Sequence, residues 1–566
     1  MVFARRSANV FIAIAASCAM VLSLTACATE HTTVHPNGQT TVTSDSTGAV
    51  ALFTPSDGIT LNQQTPLNKW AKLVPDLTDA LVNAGFSKSD ISHTTSTSLD
   101  KQSRAIQDYV VDQLSDKGSS DDNGVRFSPE AMTLLVAPVV ETDASTRQYG
   151  DYASQTLATD EANNTDTTDE ATDDSTDKST QDSKDSKDED AEKQTEAVER
   201  LVSSLKLAQE SGMNVVLLGN SIESYQPDAF VQFSDARAIG TLQAEKIVAK
   251  LELDKASKDN PKSIEVLLPY DSDSSDDSAA DSDDNTDTAT PDTAIFAQEA
   301  FQGIWQVLGP YFKSGVAVSP SGTLDASSDA DDWQNVAYDA SEKGSTAAVL
   351  AERLENTESS DSSDGKTDSI VHVDGIIAMN DYIASEVVEE LTDLGYTGSA
   401  ADINPQITIS GIVDNITGKK DLSREAVPDP IKSPQNDKAD DNESTDSNGD
   451  ASNDEEDSTV EKAKKTQWPL VTGYGAYISN MPDVVNGKQW MTGIEDRKTI
   501  AKDLAEACER LNKGDKLTGM DSVENTQVGG VDNVPTISED LVAVSASNLK
   551  ETLIDPGYIT LADAGL

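Results

Sequence analysis

Short apolar runs alternate with segments of helical periodicity along most of the chain. The apolar runs, which are typical of buried strands, are 51–53, 133–140, 215–218, 230–233, 264–268, 316–318, 375–379, 407–412 and 470–472. Apolar residues at helical spacing lie between them, at 70–82, 198–208, 236–251, 296–308, 336–354, 383–394 and 497–511. Strands that are apolar on both faces are typical of sheets covered by helices on both sides, so this alternation predicts a parallel α/β architecture.

Four windows rich in Asp, Glu, Ser and Thr interrupt the alternation: 151–195, 270–292, 355–368 and 425–465. They hold more than half of the net charge of −58, which arises from 42 Lys and Arg against 100 Asp and Glu in 566 residues. Such side chains bury too little apolar area to offset the entropy of ordering, so we expect disordered surface insertions. The remaining chain is long enough for two ordinary lobes.

The charge and the motifs of the chain exclude several classes of function. A chain this acidic has no basic stripe to release counterions from phosphates, so no nucleic-acid partner is expected. The chain has no GxSxG, P-loop, GxGxxG or HExxH motif, and its four histidines lack the spacing of metal ligands. A carboxylate pair like that of glycosidases is not excluded, but no pair stands out among so many acids. We therefore expect neither an enzymatic activity nor a metal or other cofactor.

The N-terminus has the features of an export signal. Arg5 and Arg6 precede an apolar run that ends in the sequence LTAC at 24–27. These four residues resemble a bacterial lipobox, which predicts cleavage before Cys27 and acylation of that cysteine. The alternatives are an ordinary secretory signal and an uncleaved anchor. A lipid anchor would hold the chain on the extracytoplasmic face of the cell membrane, with 28–48 as a flexible tether.

Several segments carry a resemblance to one family. In chain order they are Phe233-Ser234-Asp235 with Gly240 and Gln243-Ala244, GIIAMND at 375–381, VTGYG at 471–475, and the C-terminal pieces Val534-Pro535, LVAV at 541–544, NLKETLI at 548–554 and Gly557-Tyr558. In order and spacing they resemble the type I periplasmic-binding-protein family, the sugar-binding proteins of ABC importers, and above all its D-xylose-binding branch. The resemblance implies two α/β lobes that are joined by a hinge and close on a sugar.

The resemblance also implies a set of ligand-binding residues. Asn380 falls on the family's sugar-binding asparagine at a strand end, and Trp333 falls near the tryptophan of a ligand loop. Lys69 stands where the family has a sugar-binding arginine. Tyr474 and Glu495 are weaker candidates. Because Glu495 lies near the position of a hinge lysine, we expect a neutral or cationic ligand rather than a sugar acid.

The family pattern fails elsewhere in the cleft, which indicates a diverged site. The first-lobe arginine is replaced around Gly219-Asn220, an aspartate aligns with Gly475, and paired asparagines have no counterpart around Phe296. Structural roles are the alternatives for the candidates themselves. Asn380 would then cap the following helix, Trp333 would pack between elements, and Tyr474 and Glu495 would only build the hinge.

The resemblance divides the chain into functional parts. These are a signal peptide at 1–27, a tether at 28–48, an N-terminal lobe at 49–234 with the insert 151–195, a C-terminal lobe at 235–492 with the inserts 270–292, 355–368 and 425–465, a return to the N-terminal lobe at 493–535, and a C-terminal segment across the hinge at 536–566. The implied function is that of a monomeric solute-binding lipoprotein, which presents a small ligand, expected to be a carbohydrate, to ABC permease subunits. The alternative is a non-transport surface lipoprotein that uses the same fold as a sensor or adhesion module.

The lipobox generates a direct test. We expect the mature chain to begin at an acylated Cys27, because the sequence LTAC follows directly on the apolar run. Mass spectrometry of the mature N-terminus measures both the cleavage position and the added acyl mass. An unmodified N-terminus at another position, or a Cys27→Ser variant that stays in the membrane fraction, would contradict the prediction.

Overall fold

The computed structural model describes residues 31–34, 40–43, 47–56, 65–115, 127–140, 146–152, 155–159, 181–233, 235–270, 292–355, 370–401 and 466–566. Its strands are β1 His31–Val34, β2 Thr40–Thr43, β3 Ala49–Pro55, β4 Ile91–Ser96, β5 Met132–Val136, β6 Thr156–Leu157, β7 Asn214–Leu218, β8 Ser221–Ile222, β9 Ala229–Gln232, β10 Lys262–Val266, β11 Leu268–Tyr270, β12 Ala317–Val318, β13 Ala337–Asp339, β14 Gly375–Ile377, β15 Leu470–Thr472, β16 Met491–Ile494, β17 Val523–Val528, β18 Val531–Ser538 and β19 Val542–Ser545. Its helices are α1 Trp70–Asn83, α2 Leu99–Leu114, α3 Gln181–Glu210, α4 Ala236–Leu251, α5 Asp292–Ser314, α6 Ser345–Leu354, α7 Asp381–Asp393, α8 Met481–Asn486 and α9 Arg497–Asn512. Cys27 and the predicted strand at 407–412 lie outside the described residues.

The first lobe is built on a seven-stranded sheet with the order β4-β3-β5-β7-β9-β18-β17. All neighbours are parallel except β17, which pairs antiparallel with β18. Residues of alternate parity point to opposite faces, so Leu135 and Val216 meet α1 and α9, while Leu134 and Val215 meet α2 and α3. Both faces are therefore covered, as the apolar strands predict.

The second lobe repeats this plan around a four-stranded parallel sheet with the order β12-β10-β14-β15. Ile264 and Ile377 pack against α4 and α5 on one face, and Ile376 and Val471 pack against α6 and α7 on the other. The strands β16 and β19 pair antiparallel beside it. The chain passes between the lobes after β9, after β16 and after β18. The predicted α/β architecture with two lobes is confirmed.

Two predicted elements are wrong in their extent. The helix expected at 336–354 begins only at Ser345, because 337–339 pair with β11 as a strand and Gly344 adopts a positive φ of 86° before the first helical residue. The strand expected at 264–268 is divided, since β10 ends at Val266 and β11 begins at Leu268 to join that different partner.

Two predicted boundaries also differ from the structure. The helix α3 begins at Gln181, inside the window 151–195 for which composition predicts disorder. Its later turns bury an apolar face that includes Leu201 and Leu205, and extending an existing helix adds one hydrogen bond per residue without a new nucleation cost. The strand β18 crosses the predicted boundary between 493–535 and 536–566. In the predicted tether, β1 and β2 form an antiparallel hairpin.

A buried carboxylate fixes the start of α7. Asp381 is fully buried, and its carboxylate accepts hydrogen bonds from the Tyr477 amide at 2.8 Å, Gln489 Nε2 at 2.6 Å and Thr492 Oγ1 at 2.9 Å. Each of these donors is neutral. Burial raises the pKa of Asp381 to about 6, although the three hydrogen bonds oppose the shift.

This pKa predicts a specific dependence of stability on pH. The folded state holds the proton of Asp381 more tightly than the unfolded state, so the stabilisation is present at low pH and is lost as pH rises through about 6. Between about pH 4.5 and about pH 7.5 the contribution should fall by roughly 2 kcal/mol, at about 1.36 kcal/mol per pKa unit. Denaturant unfolding of the wild type and of Asp381→Asn across this range measures the difference. Asp393→Asn, at an exposed aspartate of the same helix, should instead parallel the wild type, and parallel curves for wild type and Asp381→Asn would refute the prediction.

Candidate ligand site between the lobes

A short turn of the first lobe is inserted into the second lobe. We call residues 146–149 the inserted turn. Its last residue, Tyr149, is 4% exposed and belongs to the apolar core of the second lobe. The ring centroid of Tyr149 lies 4.6 Å from that of Phe296 and 6.3 Å from that of Tyr474. An aromatic side chain of the protein therefore occupies space between the lobes.

Hydrogen bonds hold the inserted turn and its neighbours against the second lobe. Asn380 Nδ2 donates to Gln148 Oε1 at 3.1 Å, and the Tyr477 hydroxyl donates to the Gln148 carbonyl at 2.7 Å. Asn68 Nδ2 donates to the Tyr474 hydroxyl at 3.0 Å. The bond between Asn68 and Tyr474 is buried and the two bonds to Gln148 are partly buried, so breaking one without replacement would leave a polar group without its partner.

The structure brings Asn380, Tyr474 and Lys69 together around this turn. Asn380 is the N-cap of α7, since its Oδ1 accepts from the Ile383 amide at 2.9 Å. Lys69 forms a salt bridge of 3.0 Å with Asp151, two residues after the inserted turn. Their roles in ligand binding stay predictions.

Trp333 and Glu495 lie away from the inserted turn. Trp333 is half-buried and packs edge-on against Tyr270 at the end of β11, with ring centroids 6.3 Å apart. Glu495 follows β16, is almost fully buried, and lines a separate cavity of 350 Å³ together with Tyr558. Trp333 and Glu495 are therefore not among the residues that surround the inserted turn with Asn380. Their roles in ligand binding also stay predictions.

A cavity of 440 Å³ lies between the lobes beside the inserted turn. The first lobe supplies residues from the inserted turn, from β6, β8 and β9, and from the end of β17 with the following turn, and the second lobe supplies the N-cap of α4 and the first turns of α5. The lining residues are Thr146, Gln155, Thr156, Gly219, Ser221, Phe230, Gln232, Asp235, Ile295, Phe296, Glu299, Gln527, Val528 and Gly529. A volume within about 300–1,000 Å³ is typical of small-molecule sites.

The lining combines groups that suit a polar ligand with an apolar face. Three glutamine amides and three hydroxyls offer both donors and acceptors, while Phe230 and Phe296 offer aromatic surface. The charged members are Asp235, whose Oδ1 accepts from the Ala238 amide at 2.7 Å and caps α4, and Glu299. Burial, and next the negative charge of Asp235, raise the pKa of Glu299.

Sequence reasoning missed this cavity, although a signal for it existed. Gly219 and Phe296 line it, and both belong to regions in which the family pattern fails. Ile295, beside Phe296, is also 42% exposed, which is unusual for a large aliphatic side chain in a helix that packs on a core.

Within the described ranges, no helix is both long and apolar enough to span a membrane. The same residues contain no group of three or more His, Cys, Asp and Glu arranged to hold a metal ion.

The inserted turn predicts a coupling between the lobes. Tyr149→Ala removes a buried ring from the second-lobe core and should cost about 3 kcal/mol of unfolding free energy. It should also increase amide hydrogen exchange in 375–380 and 470–477, because Gln148 loses its support. Tyr109→Ala, which removes a ring that packs on Phe53 within the first lobe, is the matched control and should leave those segments protected. Equal exchange in the two variants would show that the turn does not couple the lobes.

Comparisons with known proteins place the sequence in context. No family model matches the chain. A D-xylose-binding periplasmic protein of Haemophilus influenzae is 31% identical over 90 residues, which are 16% of this chain and 26% of that protein. The chain thus matches about a quarter of the length of that curated relative.

Solved structures give similarities over most of the chain. An ABC transporter solute-binding protein from Clostridium phytofermentans with bound β-D-glucose has 17% identity and a TM-score of 0.44, and the match covers 91% of this chain and 99% of that one. A carbohydrate transporter solute-binding protein from Chloroflexus aurantiacus in complex with D-glucose has 15% identity and a TM-score of 0.43, with 91% and 98% covered. The curated relative is a D-xylose-binding periplasmic protein, so the sequence match agrees with the resemblance inferred from the motifs.

Proposed function

We propose that this chain is an extracytoplasmic solute-binding protein that takes a carbohydrate, or a ligand of similar size and polarity, into the 440 Å³ cavity between its lobes. The observation that carries the proposal is the lining of this cavity. Both lobes contribute to it, and its amides, hydroxyls and aromatic rings match the two kinds of surface that a sugar presents. The similarity to a D-xylose-binding periplasmic protein supports the same assignment.

In this proposal each group of the cavity has a binding role. Gln155, Gln232 and Gln527 exchange hydrogen bonds with ligand hydroxyls, because an amide both donates and accepts. Phe296 covers the C–H face of a ring. Since the walls belong to different lobes, a bound ligand would add contacts between them and favour the closed arrangement.

The wider setting is part of the proposal as well. The protein is not an enzyme, is anchored in the membrane through an acylated Cys27, and acts as a monomer. It delivers its ligand to the permease subunits of an ABC importer. The lipobox and the resemblance support these points.

One observation favours a second candidate. The inserted turn already fills part of the space between the lobes and makes hydrogen bonds there. A fold tied in this way suits a non-transport surface lipoprotein that acts as a sensor or adhesion module. The two candidates differ in whether a small solute binds.

Calorimetry with pentoses and hexoses, D-xylose included, tests the proposal. We expect saturable binding of at least one sugar, and Gln232→Ala and Gln527→Ala should each weaken it by about 1–3 kcal/mol through a lost hydrogen bond. Asn380→Ala and Trp333→Ala report on the position that the sequence predicts for the ligand. If only Asn380→Ala and Trp333→Ala weaken binding, the ligand binds at the position that the sequence predicts and not in the 440 Å³ cavity. If no sugar binds, the surface-lipoprotein candidate is favoured.

A further inference from the structure

We propose that the cavity selects a ligand that carries a protonated amine, such as an amino sugar, over neutral and acidic sugars. This inference rests on the proposed function, because it specifies the ligand class of the same cavity. It follows from the charges that line the cavity and from where they are held.

The charged side chains that line the cavity are both acidic. Of the fourteen described residues that line the cavity, two are charged, and both are acids, Asp235 and Glu299. They come from different helices of the second lobe, at the N-cap of α4 and on the first turns of α5. Two carboxylates that share one cavity repel each other, and a cation between them removes that repulsion.

The geometry keeps both acids at the wall of the cavity. Asp235 is fixed because its Oδ1 caps α4 through the Ala238 amide at 2.7 Å. Glu299 lies one turn after Ile295 and Phe296 on α5, so an apolar and aromatic surface lies beside its carboxylate. A carboxylate next to an aromatic ring is a favourable arrangement for an organic cation, which gains both an ion pair and a cation–π contact.

Arg237 influences this pair of acids without forming a salt bridge to either of them among the described residues. Arg237 favours the charged form of Glu299 through its field, but its guanidinium donates to Gln302, and the described salt bridges do not join it to either acid. Arg237 lines a neighbouring cavity, together with Asp235 and Glu245. The acids of the 440 Å³ cavity therefore remain available to a cationic ligand.

Different groups of the cavity would bind the hydroxyls and the amine of the ligand. The glutamine amides and the hydroxyls of Thr146, Thr156 and Ser221 are neutral, so their charge does not distinguish an amino sugar from a neutral sugar. Selectivity for the amine comes from Asp235 and Glu299 alone, and an acidic sugar is repelled by both. A charged hydrogen bond is worth more than a neutral one, so the preference should be at least about tenfold.

Calorimetry in slightly acidic buffer, with the full chain and the probes D-glucosamine, D-glucose and D-glucuronate, tests this inference. We expect D-glucosamine to bind at least about tenfold more tightly than D-glucose, and D-glucuronate to bind most weakly. Glu299→Gln and Asp235→Asn should each weaken D-glucosamine about tenfold and change D-glucose by less than about threefold. Asparagine is itself a good N-cap, so the second variant retains α4.

The experiment includes a control for a general effect of charge, and it distinguishes failure of the amine selectivity from failure of the proposed function. Glu245→Gln removes one negative charge from an exposed site outside the cavity and should leave both affinities unchanged. If D-glucose and D-glucosamine bind equally and neither cavity variant discriminates between them, or if Glu245→Gln weakens D-glucosamine as much as Glu299→Gln does, the amine selectivity is refuted and the proposed function stands. If none of the three probes binds, the amine selectivity is refuted, and the series of pentoses and hexoses decides separately whether the proposed function stands.

Discussion

The carboxylate of Asp381 is held out of water among neutral hydrogen-bond donors, and three segments of the second lobe must be placed correctly to satisfy it. An isolated buried charge is costly, so the donors from Tyr477, Gln489 and Thr492 are needed together. The fit leaves no spare room, because a Cβ at Gly473 would lie 2.3 Å from Asp381 Oδ1. Met379, two residues before Asp381, adopts a φ of 61°, a value that residues other than glycine rarely adopt.

The same carboxylate determines how the lobes meet. Its bond to the Tyr477 amide positions the Tyr477 hydroxyl, which holds the carbonyl of Gln148 in the inserted turn. Asn380, adjacent in sequence, binds the side chain of Gln148. The inserted turn thus depends on a network that lies wholly in the opposite lobe. The 440 Å³ cavity beside it shares Thr146 with the turn, so ligand binding and lobe contact involve one continuous surface.

Local patterns predicted the elements well and the site only in part. The helix at 236–251 was predicted with the bounds that the structure has, because Asp235 caps it and apolar residues continue to its end. Asn380 was placed correctly at a strand end, but its partner Gln148 is 232 residues away in sequence and no periodicity indicates such a contact. Glu299 and Asp235 were missed for a related reason. Acids are abundant in this chain, and only the packing of two lobes distinguishes these two from the rest.

The first lobe cannot be completed from the first half of the chain. Its sheet receives β18 and β17 from 523–538, and one of its faces is covered by α9 from 497–512. Synthesis proceeds from the N-terminus, so β3, β5 and β7 emerge long before that cover exists, with Leu52, Leu135 and Val216 facing water. The lobe therefore acquires its final stability only when nearly the whole polypeptide is available. Until the segment 497–538 has been synthesised, the first lobe stays incomplete, with one face of its sheet uncovered.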